Sequence, residues 1–335
     1  MRPGKVPPEI LQTKVFKHLG LSHPDLILGP ALGQDASLIR FGNRVLIAST
    51  DPITGSFEDI GWLAVHINAN DIATFGVPPI WFLNSIMLPV GSTADDLEHI
   101  MQQMDEAATS LDISVAGGHT EITEDIQKPI IAGFMIGETT EGDYVTSSGA
   151  KPGDKIVMTK TAAIEGTTIL ASDGQSYLRK ELGSEIIDAA IGLRDKISVV
   201  KDGVTAYKTG HLTAMHDPTE GGLANGIHEL CDASNVGCRI VKDEISLHPS
   251  TSAICEVLQI NPLHLISSGC MLMTCNSDSV EDVLNSLKAV GVEGSVLGEI
   301  VESTSTRIIE SSFGETTLEK PETDALWDAL KLIMP

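Results

Sequence analysis

The sequence predicts a protein of the α/β class with two domains, in which helices pack against sheets. Its 335 residues are about twice the length of an ordinary domain, and 42% of them are hydrophobic, which is enough to build a sizeable core. Helical and strand-like patterns alternate in both halves, which is typical of helices crossing over sheets. A stretch rich in Gly, Ser and Thr over residues 139–154 predicts a boundary between residues 1–148 and 149–335.

The first half contains three helical patterns and five strand-like runs. In the helix predicted over 59–75, Ile60, Leu63, Ala64 and Ile67 share one face. A tight Gly42-Asn43 turn joins the first two strands as a hairpin. The predicted helices are 8–19, 59–75 and 93–111, and the predicted strands are 36–41, 44–49, 79–88, 113–116 and 130–136.

The second half repeats this alternation. Its predicted strands are 155–159, 212–215, 271–274 and 295–300, and its predicted helices are 164–172, 220–231, 280–290 and an amphipathic tail over 323–333. The spacing alone does not choose between a doubly wound sheet and a layered α+β arrangement.

The charge balance excludes several classes of partner. With 46 Asp and Glu against 22 Lys and Arg, the net charge is −24, which argues against sequence-independent binding of nucleic acid or anionic membranes. A single nucleotide held by metal ions and backbone amides remains compatible with it. We expect a cytoplasmic protein, because the sequence shows no membrane-spanning run or signal peptide and its five cysteines contain no CxxC motif.

Acidic residues recur next to glycines at the predicted ends of strands and helices, whereas P-loop, Rossmann, zincin and nucleophile-elbow motifs are missing. Asn68 and Asp71 are three residues apart on a predicted helix and could serve one ion. Residues 45–127 contain no Lys or Arg, so a polyphosphate bound there would need Mg²⁺ between its oxygens and the carboxylates. Each motif alone also fits an ordinary turn or cap. The motifs are Gly33-Gln-Asp-Ala, Ser49-Thr-Asp, Asn68-Ala-Asn-Asp, Gly117-Gly-His-Thr-Glu and Asp217-Pro-Thr-Glu-Gly-Gly.

In this order, the motifs resemble those of the aminoimidazole ribonucleotide synthetase-like (PurM-like) superfamily. Its members include selenophosphate synthetase, thiamine-monophosphate kinase and the hydrogenase maturation protein HypE, and Asp217-Pro-Thr-x-Gly-Gly-Leu-Ala is most similar to the HypE branch. The resemblance implies a layered two-domain PurM-like fold and a homodimer in which the N-terminal domains pair their sheets. It also implies that ATP and Mg²⁺ bind in a cleft between the domains and across the dimer.

The resemblance also assigns site residues. It implies that Asp35, Asp51 and Asp71 hold metal, and that Asp51, His119 and Glu121 take part in catalysis. The residues implied in ATP binding are Lys5, Asp35, Asn68, Gly117, Gly118, Thr120 and Asp217. Lys5 fits equally well as an ordinary solvated terminal lysine. The implied chemistry is attack by a substrate oxygen, often of an amide, on the γ-phosphate of ATP.

Three departures limit this transfer. The last cysteine is Cys275, so the C-terminal cysteine used by HypE in making cyanide ligands is missing. His119 stands where relatives often have an acidic residue, and Gln34-Asp35 replaces the Asp-Asp pair usual in thiamine-monophosphate kinase. We expect a Mg²⁺-ATP-dependent enzyme that acts on an unidentified small-molecule or protein-bound substrate. The alternatives are a non-catalytic nucleotide-binding scaffold and a small-molecule kinase.

Overall fold

The computed structural model describes residues 4–54 and 58–333, which build two sheets. The first sheet has six strands in the order β1-β2-β3-β6-β4-β5, and β4 and β5 are its parallel pair. It ends at Thr139, and the second sheet begins at Lys155, on either side of the predicted boundary segment. The strands are β1 (Leu26–Leu28), β2 (Ser37–Phe41), β3 (Arg44–Ile53), β4 (Pro79–Pro89), β5 (Ser114–Thr123) and β6 (Ile130–Thr139).

Strands β3, β5 and β6 of the first sheet run further than predicted. Strand β3 continues to Ile53 because its last residues pair with β6, and β5 continues to Thr123 because it stays paired with β4. Asp51 and Glu121 therefore lie inside strands, which corrects the prediction that these acidic residues stand at strand ends. Inside a pleated strand, alternate side chains project from opposite faces of the sheet.

Three helical segments belong to the first half: α1 (Pro8–Ile10), α2 (Ile60–Ala73) and α3 (Ala94–Ser110). The prediction of a helix over 8–19 is wrong in its length, because α1 is followed only by a π-helical turn that ends at Val15. No residue of this segment is buried, so no packing stabilises a longer helix. Helix α3 begins as predicted, with Thr93 and Asp96 forming a capping box.

The second sheet has seven strands in the order β13-β12-β9-β11-β7-β10-β8. Its predicted strands are confirmed to within a residue or two, and β9, β12 and β13 were not predicted. The strands are β7 (Lys155–Thr159), β8 (Leu212–His216), β9 (Gly237–Val241), β10 (Leu272–Cys275), β11 (Gly294–Val301), β12 (Arg307–Ser311) and β13 (Gly314–Thr317). The helices are α4 (Ile164–Asp173), α5 (Gln175–Leu182), α6 (Ser184–Ile191), α7 (Val200–Tyr207), α8 (Gly222–Ser234), α9 (Pro249–Leu258), α10 (Val280–Ala289) and α11 (Ala325–Ile333).

Helix α2 joins the two halves. The sequence indicates one apolar face, but every residue of the helix except the half-buried Trp62 is buried. Strands β3 and β6 cover one side of α2, and α3 of the first half and α7 of the second half pack against the rest. Asn70 bonds across this junction by donating to the carbonyl of Ile197 and accepting from the amide of Val199. The polar residues of α2 are thus held in a largely apolar interior.

The structure bears on two further features of the sequence, namely the state of the cysteines and whether any helix could cross a membrane. All five cysteines are buried and unbridged, as the spacing predicts. None of the helices in residues 4–54 and 58–333 combines the length and apolar character needed to cross a membrane.

Candidate functional site

Four aspartates that were predicted to be site residues lie close together at the junction of the two halves. Asp35 lies in the loop before β2, and Asp51 lies in β3. Asp71 lies on α2, and Asp217 directly follows β8 of the second sheet. Electrostatic repulsion links all four, since Asp35, Asp51 and Asp217 each raise the pKa of Asp71. We call these four residues the aspartate cluster.

Acidic side chains are seldom fully buried without a partner, yet two members of the aspartate cluster are almost completely buried. Asp71 is 5% exposed and Asp217 is 1% exposed. Burial, followed by repulsion from Asp35, raises the pKa of Asp217 to about 7. Burial also raises the pKa of Asp51 to about 6, although Lys5 opposes the shift, and holds the pKa of Asp71 well above its usual range. Such a cluster is stabilised by a cation.

The donor set fits Mg²⁺. Neither carboxylate oxygen of Asp217 has a hydrogen-bond partner among the described residues, although both oxygens are buried. Potential ligand atoms of Asp35, His216 and Asp217 lie within 4.8 Å of one another. Because His216 uses both ring nitrogens elsewhere, the atoms free to bind a cation are carboxylate oxygens, which Mg²⁺ prefers.

His216 places a positive charge beside the aspartate cluster. Its Nδ1 lies 2.9 Å from Oδ1 of Asp35, and its Nε2 lies 3.1 Å from Oε2 of Glu229. Ionised carboxylates only accept hydrogen bonds, so both ring nitrogens must carry protons. Desolvation lowers the pKa of His216, but Asp35 and Glu229 outweigh it and raise the pKa to about 10. The sequence favours a strand-end position for His216 over a ligand role, and the residue does end β8, but its position next to Asp217 was the signal for its role at the site.

Lys5 reaches the same site from the N-terminal segment. Its Nζ donates to Oγ1 of Thr219 at 2.8 Å and lies 3.7 Å from Oε1 of Glu229. Its backbone amide donates to Oε2 of Glu220. The Lys5 side chain is 50% exposed, so it is both solvated and tied to the second half, and its role at the site stays a prediction.

Asn68 supports Asp51. Its Oδ1 accepts from the amide of Asp51 at 2.9 Å, and its Nδ2 donates to the carbonyl of the same residue and to that of Ala64. Gly133 on β6 makes room for this amide, because a Cβ there would lie 2.3 Å from Nδ2 of Asn68. With these bonds made, Asn68 fixes the backbone of β3 rather than serving as a free ligand beside Asp71.

The Gly-Gly motif lies elsewhere on the sheet. Gly118 on β5 pairs with Asn84 on β4, Asn84 pairs with Gly133 on β6, and Gly133 pairs with Asp51. Three strand spacings, about 14 Å, therefore separate Gly118 from Asp51.

The neighbours of Gly118 lie on the same edge strand. Gly117, His119, Thr120 and Glu121 are exposed with it on β5, and Nε2 of His119 lies 3.3 Å from Oε2 of Glu121. Thr123 also donates to the Glu121 carboxylate. Within one chain, the structure does not bring these residues to the aspartate cluster.

A cavity of about 390 Å³ opens beside Asp51. Polar groups that the sequence analysis missed line it, namely Glu165, Thr219, Glu220, Ser268 and Trp327. Its apolar wall is formed by Ile53, Leu63, Ile67, Ile169, Ile266 and Leu326. Burial raises the pKa of Glu165 to about 8, with the Ser268 hydroxyl opposing the shift. Thr219 and Glu220 belong to the Asp217-Pro-Thr-Glu-Gly-Gly motif without an assigned role, and only tertiary packing brings them to Glu165, Ser268 and Trp327.

Comparison with known proteins identifies the family. The model described as AIR synthase related protein, N-terminal domain, matches residues 33–139, and the corresponding C-terminal domain matches residues 151–310. The chain belongs to this family. Membership of the AIR synthase related family confirms the predicted superfamily, and it supports the prediction of an enzyme.

Individual proteins that this chain resembles carry the names of HypE or of hydrogenase expression/formation proteins. A carbamoyl dehydratase HypE of Azotobacter vinelandii is 30% identical over 247 residues, which cover 72% of this chain and 70% of the relative. A Methanocaldococcus jannaschii protein with a provisional hydrogenase expression/formation name is 25% identical over 336 residues, which cover 96% of each chain. The crystal structure of hydrogenase maturation protein HypE in complex with ATP has a TM-score of 0.73 at 23% identity and covers 97% of both chains. The last likeness confirms the two-sheet PurM-like fold.

Proposed function

We propose that this chain is a Mg²⁺-ATP-dependent enzyme that transfers the γ-phosphoryl group to an oxygen of a small substrate. The unpartnered carboxylate of Asp217 carries this proposal, because it is buried among three further aspartates. A buried, unpaired acid is costly unless the protein binds a cation there. A Mg²⁺ ion with the phosphates of ATP would satisfy it, and one HypE relative has a crystal structure in complex with ATP.

In this proposal Asp35, Asp51, Asp71 and Asp217 hold Mg²⁺, which would neutralise charge on the phosphate oxygens. Lys5 contacts the same phosphates from the N-terminal segment. An oxygen of the substrate forms a bond to the γ-phosphorus as the bond to the bridging oxygen breaks, and ADP leaves. The proton of the acceptor oxygen passes to a carboxylate of the cavity wall. Glu220 suits this role, since it lines the cavity and is not among the proposed metal ligands.

We also infer that two copies pair through the first sheet. Strand β5 forms an edge of that sheet, and nearly all of its residues are exposed, including the apolar Val115 and Ile122. Exposed edge strands of this kind invite pairing with another chain. A second copy seated there would cover these side chains and bring His119 and Glu121 of one copy towards the nucleotide of the other.

Calorimetric titration of ATP with and without Mg²⁺ tests the proposed function. We expect wild-type protein to bind ATP only with Mg²⁺, and Asp71→Asn and Asp217→Asn to bind at least tenfold more weakly, because each variant removes an anionic ligand. Glu281→Gln is the matched control, since it removes one negative charge from an exposed position on α10.

Two results would contradict the proposal. ATP binding of equal strength with and without Mg²⁺ would show that the aspartates do not act through a metal. Unchanged binding in both aspartate variants would place the nucleotide elsewhere. Circular dichroism of each variant shows whether a loss reflects unfolding.

A further inference from the structure

We propose that the cavity beside Asp51 binds the phosphoryl acceptor, and that this acceptor is a small molecule with an ammonium group next to an apolar body. This inference rests on the proposed function, because only a phosphoryl-transfer enzyme needs an acceptor there. The cavity adjoins the aspartate cluster through Asp51, which belongs to both.

The charges of the cavity select a cation. Its lining includes three acidic residues, Asp51, Glu165 and Glu220, but only one basic residue, Lys5. The Lys5 ammonium is already engaged by Thr219 and Glu229. An anionic group away from the phosphates would therefore meet these carboxyl groups without a free basic partner, whereas an ammonium group would donate hydrogen bonds to them and favour the ionised form of Glu165.

Buried polar atoms without partners show that the cavity is built to bind. Glu165 is 5% exposed, and its Oε2 has no hydrogen-bond partner in the described part of the chain. The fully buried hydroxyl of Ser268 also makes no hydrogen bond of full geometry in the described part of the chain, although it lies close enough to the Glu165 carboxyl to lower its pKa. Trp327 adds an indole N–H that is also unpaired within residues 4–54 and 58–333. Buried groups of this kind normally have partners, which here a ligand would supply.

The high pKa of Glu165 agrees with a cationic ligand. At about 8, it leaves the carboxyl mostly protonated in the free protein at neutral pH. The groups that act on it, besides Ser268, are Asp217, Glu220 and Asp324, and all three are acidic. An ammonium group would favour the ionised form, so binding should release a proton.

Helix α11 closes the apolar side of the cavity and limits the size of the ligand. Leu326 and Trp327 face the cavity, and the buried Asp324 anchors the start of the helix by accepting from the amides of Gly221, Ile266 and Leu326. A volume of about 390 Å³ lies at the low end of the range for small-molecule sites. The wall therefore suits a compact ligand with one ring or a short chain.

Benzylamine and benzyl alcohol are matched probes, because they share a ring and differ in the charged group. We would titrate both into the full chain by calorimetry, with and without Mg²⁺ and a non-hydrolysable ATP analogue. We expect benzylamine to bind at least tenfold more tightly, with release of up to one proton at pH 7, measured in two buffers of different ionisation heat. Glu165→Gln and Glu220→Gln should each reduce the preference to below threefold, and Glu281→Gln should retain it.

The outcomes separate this inference from the proposed function. Equal binding of the two probes, or a preference that survives in both cavity variants, overturns the ammonium site whatever the nucleotide does. If the protein prefers benzylamine but does not bind the ATP analogue, the proposed function and the acceptor role are both wrong. The cavity is then a cation-binding site only. Nucleotide binding together with the variant-sensitive preference supports both.

Discussion

His216 is the residue on which the two halves of the site converge. It stands at the end of β8, between Asp35 from the first half and Glu229 from α8. Its ring is almost completely buried, and both nitrogens bond to carboxylates. The imidazolium offsets part of the negative charge that the aspartates bring together, and it orients the Asp35 carboxylate.

Replacing His216 with Ala should destabilise the protein by about 3–5 kcal/mol, because it removes the buried imidazolium that bridges the half-buried carboxylates of Asp35 and Glu229 and leaves Asp35 without a cationic partner. Urea unfolding at pH 7 measures the change. The control is His211→Ala, which removes only an exposed pair with Asp282 and should cost less than about 1 kcal/mol. Equal losses in the two variants would refute the central role of His216.

At the residue scale, the sequence predicted the acids but not their environment. Asp35, Asp51, Asp71 and Asp217 stand next to glycines or within polar motifs, so they could be recognised together. The partnership of Asp35 with His216 spans 181 positions and depends on how the two sheets dock. Glu165 lies in a buried helix without a local signal, and only its unpaired oxygen in the folded chain distinguishes it.

Among the elements, β5 has the most unusual environment. It pairs with β4 on one side only and carries the Gly-Gly motif on an exposed edge. The sequence predicted only its first residues, 113–116, because the glycines that follow resemble a strand end. The pairing to β4 extends the strand, and Gly118 permits it because a Cβ there would lie 2.5 Å from the carbonyl oxygen of Asn84.

The sheet pairing inferred for two copies makes an element-scale prediction. Ile122→Lys should shift the protein from dimer to monomer, because it places a charge in an apolar contact. Light scattering coupled to size-exclusion chromatography measures the mass. Phe313→Lys is the control, since Phe313 is fully exposed at the turn between β12 and β13 of the other sheet. A wild-type monomer, or a dimer that persists in Ile122→Lys, would contradict the inference.

Long, strongly patterned elements were predictable, whereas several of the short ones were missed. Helices α2, α3 and α10 carry apolar residues at helical spacing over ten or more positions, and the structure confirms them. Strands β12 and β13 form a hairpin of five and four residues without a fully buried side chain, so their sequences contain little alternation. Helices α5 to α7 are only eight residues each.

Over the whole molecule, the docking of two sheets through α2 concentrates acidic groups at one place. The first half supplies Asp35, Asp51 and Asp71, and the second supplies Asp217 and Glu229. The net charge of −24 is spread over the chain, but these groups are buried or half-buried and interact strongly with one another. The fold therefore stores electrostatic repulsion that a bound cation would relieve.

This repulsion predicts how stability depends on pH. The pKa values of Asp51, Asp217 and Glu165 rise on folding to about 6, 7 and 8. Between pH 5 and 8 the folded state thus binds more protons than the unfolded state, so the free energy of unfolding falls as pH rises. His216, with a pKa of about 10, acts in the same direction above pH 6.5. Glu229, with a pKa of about 2, contributes its full stabilisation above about pH 5.

We expect the free energy of unfolding to fall by at least about 2 kcal/mol from pH 5 to pH 8 without Mg²⁺, since each unit of pKa shift corresponds to about 1.4 kcal/mol. Mg²⁺ should recover most of this loss at pH 8 and little at pH 5, because it binds the ionised carboxylates. Urea unfolding at both pH values, with NaCl matching the ionic strength of MgCl₂, measures the difference. Stability that rises with pH in the absence of Mg²⁺ would show that the buried aspartates are compensated within the protein itself. If NaCl and MgCl₂ had equal effects, Mg²⁺ would change stability only by general screening of charge and not by binding the aspartate cluster.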